Sequence, residues 1–525
     1  MGNFRLEKDV MGEIEVPADS YYGAFTQRAK INFQISGIKA HREFLVSLAS
    51  IKKAAALANM DLLQLDEKTG KAIVEAAGEV ISGKFDSYFV LDVYQAGAGT
   101  PFNMNCNEII ANRATELLGG RLGQYIVNPN NHVNMAQSTN DVIPTATRIA
   151  ILELSKNLIS EIKFFEDSLR RKAKQFSHIL KVGRTHWEDA VPITLGQEFE
   201  SYALSIAKDA KRILESAQEL KELGIGGTAI GTGITSHPKF HETIVKKLNE
   251  ITHLDLRQTK NMIELTQNYN CFVSFSGALK MLAIDLARIS NNLSILNSGP
   301  KAGIAEIALP DVEPGSSIMP GKINPSIPEC AIMVAFDVMG KDKTVELSAQ
   351  YSILELNVMC PMIAYNILQS MKILASALKM FRELCIDGIN ADVKRCSELL
   401  DKSTAISTAL NPYIGYQATS KIVKEALKNN LPIKDVILKY GLIEEKDLAV
   451  VVPNESKKFI PVPLTEVSLD WYVLPRREDS GNEARVLAES GNAATMSILV
   501  VATLNDTLNK YVTIAQQANL PVDSL

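Results

Sequence analysis

Tryptophan is nearly absent, with two in 525 residues, and cysteine and histidine are sparse at six and seven. None of Cys106, Cys271, Cys330, Cys360, Cys385 and Cys396 forms a C-x-x-C pair. Neither a disulfide framework nor a thiolate metal site is expected, and scattered reduced thiols fit a cytoplasmic location. His237 and His241 stand four apart, but no H-E-x-x-H and no third ligand accompany them. Pro238 suits a helix start, so a solvated helix end is expected there and no metal. No apolar run approaches the ~20 residues that cross a bilayer. Met1–Asp9 has no apolar core of the signal-peptide kind, and Leu6 breaks the myristoylation pattern. Blocks of like charge are missing too. With 60 acidic against 55 basic residues the net charge is -5, which argues against a general nucleic-acid partner and a polybasic membrane patch. No P-loop and no G-x-S-x-G occurs.

What is present is helical periodicity. At roughly 100–200 residues per domain the length suggests about three domains. Apolar residues recur at alternating steps of three and four from Phe272 through Phe275, Leu279, Leu282, Leu286, Ile289 and Leu293 to Leu296. This is the spacing of a narrow seam in a left-handed bundle, stopped by Ser298-Gly299-Pro300. A similar stripe runs from Ile151 through Leu154, Leu158, Ile162, Phe165, Leu169 and Ala173 to Phe176. Further helices are expected from Leu195 to Leu223 and from Ala331 to Phe381, the latter interrupted or kinked near Gly340 and Pro361. The fold class this predicts is all-α, with an elongated central bundle that continues into other subunits. After about Val452 prolines and aromatics suggest extended chain, and Ala494 to Ala518 suggests one more amphipathic helix.

Polar segments interrupt the helical pattern, and polar loops on a rigid scaffold are where catalytic groups gather. They are Gly97–Asn107, Asn128–Asp141, Gly183-Arg184-Thr185-His186 and Pro314–Pro325. The last holds Ser316, Ser317, Lys322 and Asn324 between glycines and prolines, a loop able to aim N–H groups and a cation at a carboxylate. Thr100, Ser138 and Thr139 offer neutral hydroxyls, and Asn103 and Asn140 offer amides; together they suit a small ligand with several carboxylates. Ser138 or Asn140 also reads as the cap of a helix expected to start near Pro144, and both roles can coexist at a helix N-terminus. His186 gains weight from Glu329, whose carboxylate would orient an imidazole and favour its charged form. Gly224-Ile225-Gly226-Gly227-Thr228-Ala229 matches a dinucleotide fingerprint, but helix rather than strand is expected before it, so no Rossmann site is expected.

The set G-S-S-I-M-P-G-K-I-N-P at 315–325, G-R-T-H at 183–186, Q-S-T-N-D at 137–141 and G-G-T-A-I-G-T-G at 226–233 resembles the aspartase/fumarase superfamily. The likeness runs from about Phe4 to about Val450. Gly97-Ala98-Gly99-Thr100 and Ser138-Thr139-Asn140 look like the aspartate ammonia-lyase forms, whereas class II fumarases more often show S-G-T and Q-S-S-N-D. The resemblance implies a three-domain lyase with residues 1–140, 141–395 and 396–452 as its domains. Residues 453–525 match nothing in it and form an extension of unknown role, expected as an appended surface segment without catalytic role, with an extra packing arm or partner-binding element as the alternative. It implies a homotetramer with a shared helical core and active sites built from three subunits. It implies elimination of ammonia from L-aspartate to give fumarate through an aci-carboxylate intermediate, with Ser316 as base. Thr100, Ser138, Thr139 and Ser317 would clamp the carboxylate whose charge grows. Lys322, Asn324 and Thr185 would hold the other carboxylate, and Asn140 and His186 would lie near the leaving amine. No organic cofactor is implied; magnesium activation occurs in some members, but no ligand set is visible. The alternatives are a class II fumarase, an argininosuccinate- or adenylosuccinate-type lyase and a crystallin-like structural protein. The intact Ser316, Lys322, Asn324, Thr185 and His186 argue against the last.

Overall fold

A computed structural model describes residues 3–441 and the backbone of two later strands, Val467–Val473 and Ile498–Leu504. The described residues divide into two compact units. One holds the chain up to Ile406 together with Ala426–Lys434, and the other holds Ser407–Glu425 and the described residues from Asp435 onward.

Five long helices form the core of the first unit: Thr139–Gln175, Leu195–Ser216, Asn270–Leu296, Ser326–Gln350 and Cys360–Leu384. They close into a ring in which each packs on the next and the last returns to the first. The seam from Phe272 to Leu296 is the inward face, buried at every position of the expected stripe. The stripe from Ile151 to Phe176 is likewise buried, with Leu154 alone half-exposed. Burying each such side chain contributes about 1.5–3 kcal/mol. That outweighs the local cost of Pro144, Gly277 and Gly340, which all sit inside these helices. Three shorter helices, Arg42–Asp61, Glu67–Ile81 and Thr100–Leu117, pack on one another, and the first also packs on the 139–175 helix.

Every sheet among the described residues is a two-stranded ribbon, so the fold is all-α in class. Five local expectations are corrected. The helix at 326–350 runs unbroken through Gly340, and the chain reverses after Gln350 instead, with Pro361 in the first turn of the next helix. The expected helix from Leu195 ends at Ser216. Gly97–Asn107 is a loop only as far as Gly99, because Thr100 starts a helix. The 183–186 segment belongs to an antiparallel ribbon, Leu180–Thr185 with Glu188–Thr194. In the tail, the strands at 467–473 and 498–504 pair antiparallel. The second replaces part of the helix expected over 494–518, whose remaining residues lie outside the described ones. No helix among the described residues is long and apolar enough to cross a membrane.

Candidate active site

Two helix N-termini meet at the first cluster. Gly97, Ala98 and Gly99 are all left-handed, with φ of 90°, 55° and 92°, and they swing the chain into the helix that begins at Thr100. A Cβ on Gly99 would lie 2.8 Å from Ile143, so glycine lets this turn press against the 139–175 helix. The Thr100 hydroxyl donates to Gly97 O at 2.7 Å. Ser138 caps the second helix: its Oγ accepts from Asn140 N at 3.3 Å, and its own N–H donates to Asp141 Oδ1 at 2.9 Å. The capping role is therefore real, and it leaves hydroxyls, amides and helix-end N–H groups side by side, an arrangement that favours an anion.

Behind this cluster lies a polar network that the sequence pattern did not reveal. Lys52 is fully buried, and its ammonium donates to Asn134 Oδ1 at 3.0 Å and Gln137 Oε1 at 2.9 Å. Burial holds its pKa down to about 8. Asn103 Nδ2 donates to the same Asn134 oxygen at 3.2 Å and to Thr139 Oγ1 at 3.3 Å. Asp141 is buried, and its Oδ2 accepts from Gly226 N at 2.9 Å and Thr228 N at 2.8 Å. Burial outweighs those bonds and pushes its carboxyl up to about 7. Asn140 Nδ2 donates to Ala229 O at 2.7 Å. The glycine-rich 224–229 segment thus straps the start of the 139–175 helix; its small residues let the backbone come close.

Thr185 and His186 sit at the tip of the 180–194 ribbon, all exposed from Thr185 to Asp189. His186 and Trp187 both have positive φ, 53° and 68°, as a two-residue hairpin turn of matching twist requires. The loop at 315–325 is closed by Gly315 N to Lys322 O at 3.0 Å and by Asn324 Nδ2 to Gly315 O at 2.7 Å. Inside it, Ser316 Oγ accepts from Ile318 N at 3.3 Å and Met319 N at 3.2 Å. Ser317 and Lys322 are exposed on it. Glu329 lies exposed in the first turn of the 326–350 helix, and no hydrogen bond or ion pair joins it to His186 within the chain. The chain therefore gathers Thr100, Asn103, Ser138, Thr139 and Asn140, while no such bond ties them to Thr185–His186 or to the Ser316 loop. Among the described residues no group of three or more His, Cys, Asp or Glu is placed to hold a metal ion.

A helical ring carrying donor-rich loops suits a small anionic substrate, and comparison with known proteins gives its class as a lyase. Residues 12–340 match the family described as lyase and residues 406–455 the one described as fumarase C C-terminus. The chain belongs to the aspartase/fumarase superfamily, and within it stands close to the aspartate ammonia-lyases. It is 45% identical over 445 residues to the aspartate ammonia-lyase of a Bacillus species, covering 85% of this chain and 95% of that one. It is 43% identical over 458 residues to the class II fumarate hydratase of Bacillus cereus, covering 87% and 99%. The crystal structure of a fumarate lyase:delta crystallin from Brucella melitensis bound to cobalt superposes with a TM-score of 0.84 at 42% identity, covering 87% of this chain and all of that one.

Proposed function

We propose that this lyase removes ammonia from L-aspartate to give fumarate, with Ser316 as the base. The observation that carries the reading is the pair of backbone N–H groups, from Ile318 and Met319, aimed at Ser316 Oγ. A serine hydroxyl abstracts a C–H proton only if its alkoxide is stabilised, and fixed N–H donors supply that stabilisation without reorganising. The alkoxide takes the proton from the carbon beside the β-carboxylate. The electron pair moves into that carboxylate as an aci-dianion, then returns to form the double bond as the C–N bond breaks and ammonia leaves. Thr100, Ser138, Thr139 and Ser317 clamp the dianion; Lys322, Asn324 and Thr185 hold the other carboxylate; His186, with Glu329 in support, and Asn140 serve the amine.

Aspartate is favoured over malate by Gly97-Ala98-Gly99-Thr100 and Thr139, and by Asn140. Its Nδ2 is spent on Ala229 O, which leaves Oδ1 to accept from an ammonium. The runner-up is a class II fumarase, which would hydrate fumarate instead. Fumarate absorbance at 240 nm decides: turnover of aspartate much faster than of malate supports the reading, and equal or faster malate turnover overturns it.

The same reading makes the molecule a cytoplasmic homotetramer of three-domain chains. Exposed Met281, Ile284, Met333, Phe336 and Leu347 on two bundle helices support burial against further copies. Active sites shared between subunits would reunite the three segments that one chain leaves apart.

A further inference from the structure

Lys181 and Arg184 both reach the carboxylate of Glu306, although they stand three apart on one strand. Side chains alternate along a regular strand, so these two would face opposite ways. The ladder is irregular there: between Val182 and Arg184 the register shifts, and Gly183 alone stands opposite Ala190 and Val191, so the extra residue is on the facing strand. A Cβ on Gly183 would meet Val191 O at 2.7 Å. The two cations hold a wholly buried carboxylate. Arg184 grips it with both arms, Nη2 to Oε1 at 2.9 Å and Nη1 to Oε2 at 3.1 Å. Lys181 Nζ lies 3.1 Å from Oε2 and also 3.1 Å from Glu198 Oε2.

Glu306 is fixed in turn. Its N–H donates to Leu296 O at 2.9 Å, at the end of the 270–296 helix, and its C=O accepts from Asp392 N at 2.9 Å. A buried ion pair adds little net stability over apolar packing of the same volume, but a two-armed guanidinium fork permits one geometry. Arg184 adjoins Thr185 and His186, and beyond it the tip from Thr185 to Asp189 is exposed. Glu306 also stands ten residues before Ser316.

The geometry points to Glu306 as a positioning residue for the elimination. Through Arg184 it sets the angle at which the hairpin presents Thr185 and His186 to substrate, and so it rests on the reading of those two as substrate-facing.

Trp187 and Trp471 are the two tryptophans, so in a Trp471→Phe background the fluorescence anisotropy of Trp187 reports the hairpin tip. Glu306→Gln keeps the shape and removes the charge. It is expected to lower that anisotropy and to cut kcat/KM for aspartate about 100-fold, the scale of an ångström-sized misplacement, with the helical circular dichroism unchanged. Glu306→Asp is expected to restore part of both. Wild-type anisotropy and turnover in the folded Gln variant overturn the proposal, as does lost turnover with an unmoved tip, which leaves the assignment of Ser316 intact. A loosened tip with full turnover upholds the grip and overturns the reading of Thr185 and His186. Should Glu306→Gln fail to fold, Arg184→Lys keeps a cation and loses the fork, and the same two readouts are expected to move less far; no movement in either overturns the proposal.

Discussion

The amide of Asn103 donates to the hydroxyl oxygen of Thr139 across 3.3 Å. Its direction is set from behind, because the same nitrogen faces Asn134 Oδ1, which also accepts from the buried Lys52 ammonium. With its oxygen already accepting, Thr139 keeps its proton for an outside acceptor, as a carboxylate clamp requires. Asn103→Leu removes the donor and keeps the bulk. Loss of one such bond costs about 1 kcal/mol, so kcat/KM for aspartate is expected to fall roughly five- to tenfold, more through kcat than through KM, because the clamp tightens as charge grows on the carboxylate. Steady-state kinetics at one pH measures the split.

Ser316 and Lys322 share a loop but not a role. Ser316→Ala is expected to lower kcat by several orders of magnitude while a dicarboxylate inhibitor still binds, since the side chain acts on the proton and not on affinity. Lys322→Ala is expected to weaken that inhibitor as well, because it deletes a charge-assisted contact. Calorimetric titration alongside turnover separates the two.

His41 carries a pH signature of its own. Burial, with help from the Lys372 charge, holds its pKa down to about 4 against an ordinary 6.5. The unfolded chain therefore binds the extra proton first. The stability from a neutral His41 is complete above pH 6.5 and is lost as pH falls from there towards 4. His41→Phe keeps a ring against Tyr365, on which His41 stacks at 6.0 Å. The variant is expected to lose less urea resistance between pH 7.5 and 5 than the wild type does. Equal losses would exclude His41 as the source. Asp141 and Glu108, pushed up to about 7 by burial, act with the opposite sign in both proteins and cancel in the comparison.

The proposed sharing of sites between subunits makes a further expectation. Inactive Ser316→Ala and inactive His186→Ala proteins, mixed, dissociated and reassembled, are expected to regain activity, because some sites then draw neither altered residue. Mixed tetramers verified by mass without any activity would mean each site lies within one chain.

The seam of the 270–296 helix was legible because its period is long and unbroken, and a cap at Ser138 or Asn140 because both are capping residue types, although the helix starts at Thr139 rather than near Pro144. The supports of the site were not legible. Lys52 stands between Ile51 and Lys53 ahead of an alanine run, and its neighbours in sequence do not distinguish a buried ammonium from a solvated one. Glu306 and Arg184 stand 122 residues apart, and no local pattern announces a pair so distant. Gly340 misled in the other direction: packing on both sides overrides its low propensity, and the helix continues. Motif positions thus nominate the atoms proposed to face substrate, while the groups that aim those atoms depended on contacts distant in sequence.

The most direct measurement offers one enzyme two nucleophiles at once. Fumarate is incubated with the protein in ammonium buffer and the product is identified by proton NMR. Aspartate as the product is the predicted result. Malate as the main product, with aspartate absent, would contradict the assignment of this chain as an ammonia-lyase.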